Sequence, residues 1–169
     1  MSYDAHTSQG KGQAKMDAIT NQIHILLIED NPNDIELTLH TLEKQRLTKH
    51  LKILHDGAEA LDYIFCKGTY TERDITDCPK LILLDIKLPK IDGLQVLKQI
   101  KSDPRTRNIP TVMLTSSNQE TDIWTSYQSG ANSYITKPVD FTQFKQTVEN
   151  LGLYWLTLNQ PPPPLPSAN

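Results

Sequence analysis

Two runs of unbroken aliphatic residues, Ile25-Leu26-Leu27-Ile28 and Leu81-Ile82-Leu83-Leu84, each stop abruptly at carboxylates: Glu29-Asp30 after the first, Asp85 after the second. A strand with one wet face alternates apolar and polar side chains. A short run without alternation reads as a strand buried on both faces, as in a parallel sheet covered by helices on either side. His24 to Ile28 and Leu81 to Leu84 are therefore read as strands one and three. Shorter candidates at Lys52–His55, Thr111–Leu114 and Ser133–Ile135 supply strands two, four and five.

Helix starts between them follow from capping chemistry, in which an acceptor side chain takes an orphan N–H and an acid or amide three residues on reaches back. Asp56-Gly57-Ala58-Glu59, Ser117-Asn118-Gln119-Glu120 and Asp140-Phe141-Thr142-Gln143 have that pattern. Asn31-Pro32 supplies a cap followed by Pro at the first helical position, where its missing donor costs nothing. Gly93 after Asp92 opens another helix, with Leu94, Leu97 and Ile100 on one face, and the last helix turns Phe141, Phe144, Val148 and Leu151 toward the sheet. Strict alternation predicts an α/β fold: an open, doubly wound, five-stranded parallel sheet with right-handed crossovers. Its ligand crevice is expected at the carboxyl ends of the strands, at the topological switch point.

With 169 residues and 37% hydrophobic content, one domain with a real core is expected. Residues 1–20 read as a flexible arm, 21–151 as the folded domain and 152–169 as an extension that is apolar through Leu158 and then Pro-rich. A net charge of −3 without clustered Lys and Arg argues against nucleic acid as a partner. No apolar run approaches the ~20 residues of a membrane span, and no secretory signal is visible. A cytoplasmic, reducing location is expected, with Cys66 and Cys78, which bracket an insertion-like loop, as free thiols. His6, His24, His40, His50 and His55 lack the spacing of a zinc site and are assigned surface or packing roles.

The chemistry-bearing residues sit at the strand ends: Glu29-Asp30, Asp85, Thr115 and Lys137-Pro138. Carboxylates brought within a few ångströms repel one another and call for a cation, and hard oxygen ligands suit Mg2+.

These segments resemble the receiver domains of two-component response regulators. The resemblance rests on Ile28-Glu29-Asp30-Asn31, on Leu84-Asp85-Ile86-Lys87-Leu88-Pro89-Lys90-Ile91-Asp92-Gly93, on Leu114-Thr115-Ser116 and on Gly130-Ala131-Asn132-Ser133-Tyr134-Ile135-Thr136-Lys137-Pro138, all in the family's order. It implies a CheY-like, flavodoxin-like (βα)5 sheet with strand order 2-1-3-4-5. It also implies that Asp85 takes a phosphoryl group from a phosphohistidine on a sensor histidine kinase. Asp30, Asp85 and the backbone carbonyl of Lys87 would hold Mg2+, with Glu29 contributing directly or through water. Lys137 would pair first with Asp85 and then with its phosphate, Thr115 would donate to a phosphoryl oxygen, and Tyr134 would be the switch aromatic. A cis Lys137–Pro138 peptide is implied as well. Glu29 departs from the commoner Asp. Such a chain is no enzyme beyond its own phosphorylation and dephosphorylation.

Charge arithmetic makes the set coherent: three carboxylates balance Mg2+ plus Lys137, and phosphorylation adds about one negative charge. Two new charge-assisted hydrogen bonds at ~1.5–3 kcal/mol each approach the ~5.5 kcal/mol that swings a two-state equilibrium from end to end.

After the last helix, Gly152-Leu153-Tyr154-Trp155-Leu156-Thr157-Leu158 adds apolar bulk that one small sheet cannot easily cover. This extension resembles single-domain regulators associated with cyanobacterial phytochromes, which implies a homodimer through Tyr154, Trp155 and Leu158 and a phytochrome as kinase. Three rival functions share parts of this pattern. A haloacid-dehalogenase-type phosphohydrolase needs a second Asp two residues after its nucleophile, where this chain has Lys87. A flavodoxin-like electron carrier would find its flavin phosphate repelled by Glu29-Asp30. A phosphorylation-independent scaffold keeping the same fold stays open.

Overall fold

Buried on both faces, the two aliphatic runs become the centre of a parallel sheet. β1 (Ile25–Ile28) pairs on one side with β2 (Leu51–Leu54) and on the other with β3 (Leu81–Leu84). β4 (Thr111–Thr115) and β5 (Ser133–Thr136) complete the order 2-1-3-4-5. The computed structural model describes residues 22–163. The expected arm at 1–20 and the last residues of the Pro-rich tail lie outside the described residues.

Alternate side chains of each central strand feed two separate cores. Leu26, Ile28, Ile82 and Leu84 pack with residues of α2 (Gly57–Ile64) and α3 (Gly93–Ser102). Ile25, Leu27, Leu81 and Leu83 pack on the opposite face with Leu42 of α1 (Pro32–Lys44) and with Phe144, Val148 and Leu151 of α5 (Phe141–Leu153). No side chain of β1 or β3 is more than 3% exposed. Each such burial contributes ~1.5–3 kcal/mol, so these strands, together with the equally buried β4, are firmly held.

The predicted caps at Asn31, Asp56 and Asp140 form as expected, and Asp92 caps the helix that Gly93 opens. Asn31 accepts from the amides of Asn33 and Asp34, with Pro32 at the first helical position. Asp56, Asp92 and Asp140 accept from Glu59, Gln95 and Gln143 at 2.8, 3.0 and 2.9 Å. The Ser117 box does not form. α4 (Glu120–Gln128) has Gln119 in the cap position making no side-chain bond, because the Ser117 hydroxyl is engaged with Asp122 at 2.5 Å.

Smaller departures have local reasons. β2 runs Leu51–Leu54 rather than Lys52–His55, since the His55 amide is taken by the Glu59 carboxylate at 3.2 Å. Phe141 in the first turn of α5 is exposed rather than facing the sheet. No cis peptide occurs among the described residues, so the expected cis Lys137–Pro138 is absent; the lysine enters the crevice from a trans bond.

The segment between α2 and β3 is tied down rather than loose. The Arg73 guanidinium lies 3.7 Å over the Tyr63 ring and donates to the backbone carbonyls of Tyr63 and Asp77. Cys66 and Cys78 are free and half-buried, and burial pushes the Cys78 thiol up. His24 and His50 stack on each other at 4.4 Å, a packing role. No helix among the described residues is long and apolar enough to cross a membrane.

Candidate functional site

Because the sheet order reverses at β1, the ends of β1 and β3 lie side by side. The ladder continues one step past both strands: the Asp85 amide donates to Ile28 at 3.1 Å, and the Glu29 amide donates to Leu54 at 3.0 Å. This register brings Glu29 and Asp85 together at the switch point, where open α/β sheets hold their ligands. On the far side, the Lys137 amide donates to the Thr115 carbonyl at 2.7 Å, so the chain leaving β5 turns over the end of β4.

Glu29, Asp30 and Asp85 each present a carboxylate oxygen within 4.8 Å of the others. Glu29 and Asp85 are buried, and Asp30 is exposed at the rim. Hard anionic donors this close, one of them open to solvent, fit a divalent cation that keeps part of its water. The Asp85 Oδ1 accepts from the Ile86 amide at 2.8 Å, while Oδ2 faces Lys137 at 3.7 Å. Burial pushes the Glu29 carboxyl above the usual range, and bonds from Lys137 and the Asn31 amide offset this only in part.

Lys137 reaches Asp85 at 3.7 Å, and its ammonium lies closer still to two other carboxylates, 2.5 Å from Glu29 and 2.8 Å from Asp34. Burial alone would lower its proton affinity, but the bonds to Asp34 and Glu29 outweigh that and hold it above the ordinary value. Asp34 is the functional residue that sequence reasoning missed. The Asn31-Pro32 cap that places it in the first turn of α1 was legible, and an acid there points toward the carboxyl end of the sheet.

Thr115 is fully buried, and its hydroxyl oxygen accepts from the Ser117 amide at 3.3 Å, leaving the hydroxyl proton free to donate elsewhere. Tyr134 is half-buried and turned inward, its hydroxyl donating to the Ser117 carbonyl at 2.9 Å. Ser117 therefore joins Thr115, Tyr134 and, through Asp122, the first turn of α4. Lys87 lies two residues beyond Asp85 with its side chain in solvent, in a turn tightened by the bond from the Gly93 amide to the Ile86 carbonyl at 2.7 Å.

A π-helical turn, Tyr154–Leu158, follows α5. Tyr154 and Leu158 are exposed, whereas Trp155 and Leu156 pack partly against the α1–α5 core.

Comparison with known proteins converges on one group. Residues 25–149 match the response regulator receiver domain. The chain is 41% identical over 140 residues to the probable methanogenesis regulatory protein FilR2 of Methanothrix harundinacea, spanning 83% of this chain and 88% of that one. It is 37% identical over 132 residues to the response regulator Rcp1 of Synechocystis, spanning 78% and 88%. Among solved structures, the phosphorylated cyanobacterial phytochrome response regulator RcpA superposes with a TM-score of 0.78 at 39% identity, covering 84% of this chain and 99% of that one. The Mn2+-bound form of Rcp1 gives a TM-score of 0.76 at 35% identity, covering 83% and 99%.

Proposed function

The chain belongs to the response regulator receiver domain family, and on that premise we propose that Asp85 is the phosphoacceptor of a cytoplasmic receiver served by a sensor histidine kinase. The observation that carries this reading is the convergence of Glu29, Asp30, Asp85, Thr115 and Lys137 at one end of the sheet. Of the two Asp85 oxygens, Oδ1 is occupied by the Ile86 amide, which leaves Oδ2, on the lysine side, to attack phosphorus. The phosphorus–nitrogen bond of the donor breaks as the acyl phosphate forms, through a loose transition state in which positioning and charge neutralisation are the main demands.

Glu29, Asp30, Asp85 and the Lys87 carbonyl would hold Mg2+, whose role when bound is to offset the charge of the incoming phosphoryl oxygens. Lys137 follows that new charge out of its resting contacts, and the Thr115 hydroxyl donates to a phosphoryl oxygen. Movement of Thr115 is felt at Ser117 and thereby at Tyr134 and the start of α4, which makes that loop the two-state element of the switch.

Incubation with acetyl phosphate and Mg2+, followed by intact mass measurement, tests the acceptor. Wild type is expected to gain one phosphoryl group and Asp85→Asn none, with beryllofluoride used to trap the state if the group is lost quickly. A folded wild-type protein that takes up neither would favour the scaffold reading.

The kinase is proposed to be a phytochrome, on the strength of similarity to RcpA and Rcp1 over most of their length. The chain is further proposed to form a homodimer through Tyr154, Trp155 and Leu158. Tyr154 and Leu158 are 50% and 66% exposed, with Leu153 next to Tyr154 at 54%, and grouped exposed apolar side chains of this kind mark interaction surfaces. Leu158→Asp is expected to convert the dimer to a monomer in light scattering. A wild type that is monomeric at high concentration, with and without beryllofluoride, would remove this part of the proposal.

A further inference from the structure

We infer that Asp34 is a positioning residue that competes with the acceptor site for Lys137, strengthening metal binding and weakening phosphoryl uptake. The inference rests on Asp85 being the acceptor. Asn31 and Pro32 fix the first turn of α1, and from there the Asp34 carboxylate reaches across to Lys137 in the segment after β5. That bond, at 2.8 Å, is much closer than the 3.7 Å between Lys137 and Asp85. The Lys137 side chain is 8% exposed, so its few partners are chosen by geometry rather than averaged by solvent.

Counting Asp34 changes the electrostatics of the crevice. Glu29, Asp30, Asp34 and Asp85 sum to −4, and Lys137 with a divalent cation supplies +3, so the loaded site carries −1 rather than zero. That surplus attracts a cation and opposes a phosphoryl group, which adds about one further negative charge. Asp34 also holds the ammonium that the phosphoryl oxygens need. An acid in the first turn would in any case favour the helix dipole. That bland role affects only stability, whereas competition for Lys137 moves two ligand affinities in opposite directions.

The test is calorimetric titration of the full chain and its Asp34→Asn variant, first with Mg2+ alone and then with beryllofluoride at saturating Mg2+. The variant is expected to bind Mg2+ about three- to tenfold more weakly and beryllofluoride more tightly by a similar factor, the size expected of one partly solvated charge. In a Lys137→Ala background the gain in beryllofluoride affinity should shrink to the part due to the lost charge alone, while the loss of Mg2+ affinity persists. Asp34→Glu, which keeps the charge, should stay near wild type, and Asp34→Ser replaces the Asn variant if that one folds poorly. Affinities that fall together, that do not move, or a beryllofluoride gain that is undiminished without Lys137 overturn the inference. A wild type that binds Mg2+ but neither beryllofluoride nor acetyl phosphate overturns the acceptor reading itself and this inference with it, a pattern distinct from the others.

Discussion

Lys137→Met is expected to destabilise the metal-free protein by about 3–5 kcal/mol, the usual cost of removing one partner from a buried ion pair. The side chains of Lys137, Glu29 and Asp85 are 8%, 4% and 8% exposed, so the orphaned carboxylates cannot be rescued by water. Burial already pushes the Glu29 carboxyl up, and without the ammonium it rises further. Mg2+ should restore much of the loss. The variant keeps the carboxylate donors and lacks the competing ammonium, and a ligand at a hundred times its dissociation constant contributes about 2.7 kcal/mol. Phosphorylation from acetyl phosphate should nonetheless slow by at least about a hundredfold, because a methionine cannot neutralise the phosphoryl oxygens. Urea unfolding with and without Mg2+ measures the first effect, and single-turnover mass measurement the second. An unfolding midpoint unchanged in the absence of metal would show that the lysine is not the counterion of the buried acids.

Gly93→Ala should have a comparable effect on stability for a purely spatial reason. Gly93 has no left-handed backbone to explain its presence. An added methyl group would instead overlap the backbone carbonyl of Asp85, because the first turn of α3 lies directly against the acceptor's own peptide. Backbone atoms cannot rotate away as a flexible side chain can, so the β3–α3 turn itself must shift. The expected cost is about 3 kcal/mol, at the upper end for overpacking. The shift would carry Asp85 and the Lys87 carbonyl with it, so phosphorylation should slow in the fraction that remains folded. Chemical unfolding followed by a rate measurement well below the transition separates the two effects. Stability within about 0.5 kcal/mol of wild type would mean that α3 can back away from the acceptor at little cost.

What was readable from the sequence follows burial. β1 and β3 are covered on both faces, so their residues form unbroken aliphatic runs whose position in the sheet is hard to mistake. β2 is an edge strand with its first three residues only half-buried, and its bounds were misjudged by one residue. Capping chemistry worked where the acceptor had no rival for its side chain. It failed at Ser117, whose hydroxyl is claimed by Asp122 in the folded chain. The acidic pair, the lone Asp85, Thr115 and Lys137 were legible because each ends or follows a strand of one parallel sheet. Asp34 was not, since its meaning depends on a lysine 103 residues away that only the closed fold brings within reach. The same closure explains why Lys137 rests on Glu29 and Asp34: a count of charges cannot tell which carboxylate lies nearest.

Asp85 is only 6% exposed, while Asp30 and the Lys87 side chain stand in solvent above it. A recess of this kind sets an admission limit on donors. A slender group such as an imidazole ring presented on a protruding side chain, or a small acyl phosphate, can reach the bottom of it. A phosphorylated residue lying flat on a broad protein surface would meet the rim carboxylate of Asp30 before the acceptor, so the proposed kinase is expected to present its histidine on a protruding surface.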